Sequence, residues 1–407
     1  MSTIEDRLRN AYQCATQTVR PESLRPPVLP QDEPAPPARR GRGRLGLPAF
    51  RGGLRPLAPL AAAAAVVVVA VAAITVPRLF PAAPPAASPF GPVVGGMSSP
   101  SPFLVVVRPP GIQVVSAATG RIVTQLPPPG TRTQWSQAAA GPGGRQFLLA
   151  ATDEYNACRS LQFYALTLSG TGTVAGLRPY SAPQTGLFLG SNLNFGAGGL
   201  AVSADGSTVA YVTTNCASPG ASQETITVIR HGTTRTWTSS VQANPAGLSL
   251  SADGSLLGYA DLTNNSPARS PASAWILRTD SAPGPADQRA RKVFTDQLNG
   301  GPQAQSTVLS PDGSTMYLLT AAFGARDTML AYAVSAYNTA TGARLRTLHT
   351  WHNHGYVMPP GFTANGDRAL IWYLHGTSVD ELNLVSGTAT TYRELRVSDS
   401  PAVDIAW

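Results

Sequence analysis

The residues best suited to chemistry gather in one short run, HTWHNHG, which holds His349, His352 and His354, three of the five histidines in the chain. A fourth, His375, follows soon after. Neutral imidazole nitrogens are ligands for zinc, copper and other divalent metals. Four of them brought together would form a metal site, and this is the one cofactor the sequence suggests. The same spacing also describes a polar loop whose imidazoles never meet. Three cysteines complete the set, Cys14, Cys158 and Cys216. No GxSxG elbow, phosphate-binding glycine loop, HExxH or CxxC occurs, so no catalytic residue is assigned and the expectation is a protein that is not an enzyme.

The elements that must position these residues repeat. GGLAVSADGSTVAYVTT (198–214), AGLSLSADGSLLGYADL (246–262), QSTVLSPDGSTMYLLTA (305–321) and PGFTANGDRALIWYL (360–374) share one pattern, with a degenerate copy at 136–152. Each is a short apolar strand, a turn of the type S-x-D-G-S, and a second alternating strand. Gly supplies the positive φ and Asp caps the turn through its backbone, so each copy reads as a β-hairpin. Asp205, Asp253 and Asp312 are therefore turn residues and not an acidic cluster. A further strand pair follows each hairpin, as at 226–238, 330–348 and 380–395. A four-stranded unit recurring every ~40–60 residues is a propeller blade. Five blades are counted this way. A sixth takes three strands from 103–126 and its innermost strand from AVDIAW (402–407), which leaves no long sheet edge open. The fold class is all-β, a six-bladed propeller, with seven blades as the alternative. In this frame HTWHNHG falls between the last strand of one blade and the first of the next, and His375 between the second and third strands of the following blade. Those two kinds of connection emerge on one face.

The S-x-D-G-S hairpins resemble those of TolB-like and WD-repeat-like bacterial propellers, over about residues 103–407, although the G-H and W-D pairs of true WD repeats are absent. The whole layout resembles actinobacterial single-pass membrane proteins with an external propeller. The resemblance implies a binding or sensory role, and in some such proteins an anti-sigma or signalling role. The histidine–cysteine zinc motif of the common anti-sigma class is missing, since Cys14 stands alone and residues 1–55 contain no His.

The remaining segments concern the membrane. Residues 57–76, LAPLAAAAAVVVVAVAAITV, carry no charge, and at the helical rise a stretch of this length spans about 30 Å, the thickness of a bilayer core. Arg39, Arg40, Arg42, Arg44, Arg51 and Arg55 precede it and Arg78 follows. The positive-inside rule then puts the N-terminus in the cytoplasm and the propeller outside; a cleaved signal peptide is the rival reading. Before it, 1–55 form an Arg/Pro-rich tail with ten Arg against five acids, +5 of the chain's +8. Ile4, Leu8, Ala11, Tyr12, Ala15 and Val19 make one stripe of an amphipathic helix over 3–20, a candidate contact for a cytoplasmic protein. After it, 78–102 are a Pro/Ser/Gly stalk. The expected organisation is tail 1–55, transmembrane helix 56–77, stalk 78–102 and propeller 103–407, anchored in the cell membrane. The expected partners are the lipid bilayer and a protein or small molecule at the propeller face. Nucleic acid is excluded, because the large domain has no basic run with interleaved aromatics. Three functions follow: an external binding or sensory module, a transmembrane regulator working through its tail, or a propeller-based hydrolase or lyase. Cys158 and Cys216 each follow the second strand of successive blades, on the side of the membrane where disulfides persist, and are expected to bridge.

Overall fold

Runs rich in Val, Leu, Ile, Thr and Tyr form the strands, and Asp-Gly and Asn/Ser-x-x-Ser/Thr-Gly sequences reverse them. The computed structural model describes residues 101–108, 111–153, 160–181, 184–185, 187–189, 199–215, 224–239, 243–263, 272–295, 302–323, 329–352, 361–365, 367–372, 379–392 and 404–407. The chain divides into two units, Met1–Thr75 and Val76–Trp407, and every described residue belongs to the second. The expected helix over 3–20 and the span over 57–76 lie outside the described residues. Among those described, no helix is long and apolar enough to cross a membrane.

The strands build six sheets, antiparallel among the described residues except for one short parallel pair at the edge of blade 3. Blade 1 runs from its inner strand Asp404–Ala406 through Phe103–Arg108 and Gly111–Ser116 to Ile122–Leu126. Blade 2 orders Thr133–Ala140, Gln146–Asp153, Ser160–Leu168 and Val174–Pro179. Blade 3 orders Leu200–Val202, Thr208–Asn215, Glu224–Arg230 and Thr233–Thr238. Blade 4 orders Ala243–Leu250, Leu256–Thr263, Ser273–Arg278 and Arg291–Thr295. Blade 5 orders Gln303–Leu309, Thr315–Phe323, Met329–Asn338 and Arg344–His352, and blade 6 orders Gly361–Asn365, Arg368–Trp372, Val379–Asn383 and Ala389–Tyr392. The molecule is a six-bladed β-propeller. The C-terminal strand closes the ring by pairing Val105 with Ala406 and Val107 with Asp404.

The core is six cores, one between each pair of neighbouring sheets. Phe103, Val105 and Val107 of blade 1 pack on Trp135, Phe147 and Leu149 of blade 2. The series continues around the ring, until Leu370 and Trp372 of blade 6 meet Leu104, Val106 and Ile405 of blade 1. Sheets packed on both faces need apolar residues on both faces, which is why Phe103–Arg108 is buried throughout.

The S-x-D-G-S turns hold one end of the ring. In the turn at 251–255 the Asp253 carboxylate accepts from the Ser255 N–H at 3.0 Å and from the Ser251 hydroxyl at 2.8 Å, while the Ser251 oxygen accepts from the Leu256 N–H at 3.0 Å. The backbone bond from Ser255, reinforced by the Ser251 and Ser255 hydroxyls against opposing burial, holds this carboxyl below its ordinary range. Asp205 and Asp312 repeat the arrangement. The turns also join one another: Asp205 N–H donates to Ala252 O at 3.2 Å, and Ala252 N–H donates to Pro311 O at 2.8 Å, linking blades 3, 4 and 5. Gly254 sits at φ 66°, and a Cβ there would stand 2.0 Å from Thr208 Oγ1 of the preceding blade, so the position demands glycine for both conformation and space.

Two outer-edge features were not expected. The connection after Arg278 crosses to blade 3, where Gly284 and Pro285 pair in parallel with Trp237 and Thr238. Trp237 Nε1 donates to Ala282 O at 3.0 Å, and Arg235 Nη1 donates to Asp280 O at 2.8 Å. On blade 5 the nine-residue outer strand Arg344–His352 carries two β-bulges, with Arg344, Leu345 and Arg346 exposed.

Candidate functional site

The inner strands of all six blades line an axial cavity of about 150 Å³. Ala138–Ala140, Ala201, Gly247, Ser306, Ala364 and Ala406 contribute much of the wall, because residues crowded toward the axis must be small. Bulges in the inner strands of blades 2, 4 and 5, at Trp135/Gln137, Ala246/Ser249 and Ala304/Ser306, re-aim side chains there. They allow Thr307 Oγ1 to donate to Gly247 O at 2.8 Å and to lie 3.2 Å from Ser249 Oγ, joining two blades across the wall. Gln137 Oε1 likewise accepts from the Gly199 N–H of the next blade at 3.0 Å.

Asp404 is the one ionisable residue that lines this cavity among the described residues. It is buried. Its Oδ2 accepts from the Ala138 N–H of blade 2 at 3.0 Å, and its Oδ1 accepts from the Ile405 N–H at 2.9 Å. Burial pushes its carboxyl up to about 7, against the lowering effect of those two bonds. Two oxygens accepting one bond each retain further acceptor capacity. Close by, Trp372 of blade 6 also lines the cavity, and its buried Nε1 has no hydrogen-bond acceptor. The wall therefore combines one carboxyl, the hydroxyls of Ser249, Ser306, Thr307 and Thr363, an indole and several aliphatic side chains. It is a surface suited to holding a small amphiphilic molecule. The sequence carried one signal of it: Asp404 breaks the apolar run of AVDIAW.

A second buried acid, Glu224, begins the third strand of blade 3. Thr214 Oγ1 donates to it at 3.0 Å. Burial, with the charge of Asp261 on blade 4, pushes it up to about 8 in spite of that bond.

The histidine expectation needs correction in part. His349 and His352 are not in the connection between blades. They belong to the outer strand of blade 5, opposite Val334 and Ala331. His349, Thr350, Trp351 and His352 carry that strand beyond the expected end at 348, alongside its ten-residue partner Met329–Asn338. His349 packs on Trp351 at 4.4 Å between ring centroids, and Trp351 stacks on Tyr332 at 4.9 Å. His354 and His375 lie outside the described residues. Among those described, no group of three His, Cys, Asp or Glu residues is placed to hold a metal ion.

Cys158 and Cys216 also lie outside the described residues. The strands that bound them are the second and third of neighbouring blades, Gln146–Asp153 with Ser160–Leu168 and Thr208–Asn215 with Glu224–Arg230. We expect a bridge between equivalent connections. Both thiols should resist alkylation in unfolded, unreduced protein, and a non-reduced digest should yield the linked peptide pair. Free alkylation of both would show that no bridge forms.

No family model matches the chain, and no curated protein matches it. Among solved structures, TolB from Acinetobacter baumannii aligns over 75% of this chain and 65% of its own, at 14% identity and a TM-score of 0.45. The β-propeller domain of Cps50 (Swd1) from Myceliophteria thermophila aligns over 77% of this chain and 90% of its own, at 13% identity and a TM-score of 0.39. A putative 6-phosphogluconolactonase from Bacteroides fragilis aligns over 76% and 99%, at 13% identity and a TM-score of 0.38. The chain thus spans about 65% of the length of the TolB structure. At these values the likeness concerns the propeller fold alone.

Proposed function

We propose that this chain is a membrane-anchored, extracytoplasmic propeller that acts as a non-enzymatic binding or sensory module, with its ligand entering the axial cavity. The observation that carries the reading is the cavity itself: six inner strands, closed into a ring by the C-terminal strand, surround a wall rich in small residues, with a single carboxyl among the described residues that line it. The anchor rests on the uncharged stretch 57–76 and the arginines before it. Protease added to intact cells stripped of their wall tests the topology. Cleavage should fall in the stalk 78–102 and release the propeller, while the tail 1–55 remains protected. Digestion of the tail with the propeller spared would overturn the reading.

A further inference from the structure

We propose that the axial cavity binds a small organic cation, an alkylammonium whose charge sits on the Asp404 carboxylate and whose hydrocarbon body lies against the aliphatic wall. The inference rests on the binding-module reading and specifies its ligand class. Asp404 already accepts two backbone N–H donors, from Ala138 at 3.0 Å and Ile405 at 2.9 Å. Those bonds fix its orientation and leave lone pairs free for a ligand's N–H groups. A buried carboxylate without a counter-charge is costly. Of the elements packed on its strand, Thr133–Ala140 and Gly361–Asn365 carry no ionisable side chain, and Phe103–Arg108 carries only Arg108. Arg108 shares the strand face of Val106, which packs toward blade 6, whereas Asp404 reaches toward blade 2. Among the described residues none of these elements sets a cation on this carboxylate, and a ligand cation would supply the charge.

Several features favour an organic ammonium over a metal ion. A single carboxylate is a sparse ligand set for a hard divalent cation, which takes six or more oxygens. The rest of the wall is Ala139, Ala140, Ala201 and Ala364 with the edges of Leu200, Leu248, Val308 and Phe362, whose side chains pack between blades, so only a short hydrocarbon body fits. The hydroxyls of Ser306 and Thr363 are acceptors for the remaining ammonium hydrogens.

The test is isothermal titration of the full-length chain in detergent micelles with n-butylammonium chloride, using 1-butanol as the neutral isostere and calcium chloride as the metal probe. At pH 8 butylammonium should bind at least tenfold more tightly than 1-butanol. Asp404→Asn should weaken butylammonium at least tenfold and leave 1-butanol unchanged. Lowering the pH from 8 to 6 should weaken butylammonium about tenfold as the carboxyl takes up its proton. Equal binding of butylammonium and 1-butanol would overturn the proposal. So would an Asp404→Asn variant that binds as the wild type does, or calcium that binds while butylammonium does not. The comparison of the two butyl probes needs no variant, so a substitution that failed to fold would leave the proposal decidable. Binding of neither butyl probe would also overturn it. Equal binding of both leaves the cavity as a ligand site and removes only the charge. Because the anchored topology is read separately by protease, the two failures are distinguishable.

Discussion

Deleting residues 404–407 should abolish the cooperative unfolding transition of the propeller. Asp404–Ala406 form the inner strand of blade 1, Trp407 follows it, and all four are buried. Ile405 fills the core shared with blade 6 and Ala406 the core shared with blade 2. Trp407 Nε1 donates to Ser101 O at 3.0 Å, and the Arg368 guanidinium, itself paired with Glu381, lies 5.1 Å from the Trp407 ring centre. Without the strand, Phe103–Arg108 loses its inner partner and the ring opens along two cores at once. Trp407→Ala alone should cost about 3–5 kcal/mol, the usual range for a buried Trp. Set against a typical total of ~5–15 kcal/mol, that leaves a folded but strongly destabilised protein. Trp407→Phe should cost less, since it keeps the ring in the core. Urea unfolding followed by circular dichroism ranks the variants, and an unchanged midpoint for Trp407→Ala would contradict the closure described here.

Wild-type stability should fall as pH rises from about 4 to about 8, with Asp404 and Glu224 as the main causes. Both carboxyls have folded-state values raised above their ordinary ones, Asp404 to about 7 and Glu224 to about 8. The folded protein therefore holds these protons more tightly than the unfolded chain does. The stability this contributes is fully present below pH ~4 and is lost as pH climbs through the folded values. For Asp404 the rise from 3.8 to about 7 corresponds to about 4 kcal/mol. Asp404→Asn stays neutral at every pH and keeps one oxygen to accept a backbone N–H. It should equal or fall below wild type at pH 4, exceed it by about 1–3 kcal/mol at pH 8, and flatten the slope between. Melting temperatures of both proteins across this range decide the matter. An identical slope in the two would remove Asp404 as a source of the dependence.

The blade repeat was legible because it is local. Gly and Asp recur at fixed offsets in the three S-x-D-G-S turns, and AVDIAW could be recognised as a spare apolar strand with nothing beside it in sequence. A second repeated turn went unread: SAATG (116–120), NTATG (338–342) and NLVSG (383–387) join third to fourth strands. In the latter two, Asn338 and Asn383 each accept two backbone N–H groups. The candidate site was less legible. What makes Asp404 unusual is the Ala138 N–H, 266 positions away, and the enclosure of the axis by five other blades. Histidines drew attention by their number, yet His349 and His352 are set by strand length, which depends on the partner strand and not on their own spacing. The parallel pairing of Gly284–Pro285 with blade 3 had no local signal either, since two residues of ladder leave no periodicity to read.

The bulged outer strand of blade 5 bears on how copies of this protein behave when concentrated. Among the described residues it is the longest outer strand of the ring and would be the readiest template for cross-β stacking between molecules. The bulges at Val334/Ser335 and Ala336/Tyr337 break its register, and the exposed Arg344 and Arg346 set like charges against each other in any edge-to-edge approach. Copies of this propeller at high concentration are thereby kept from seeding fibres along this rim.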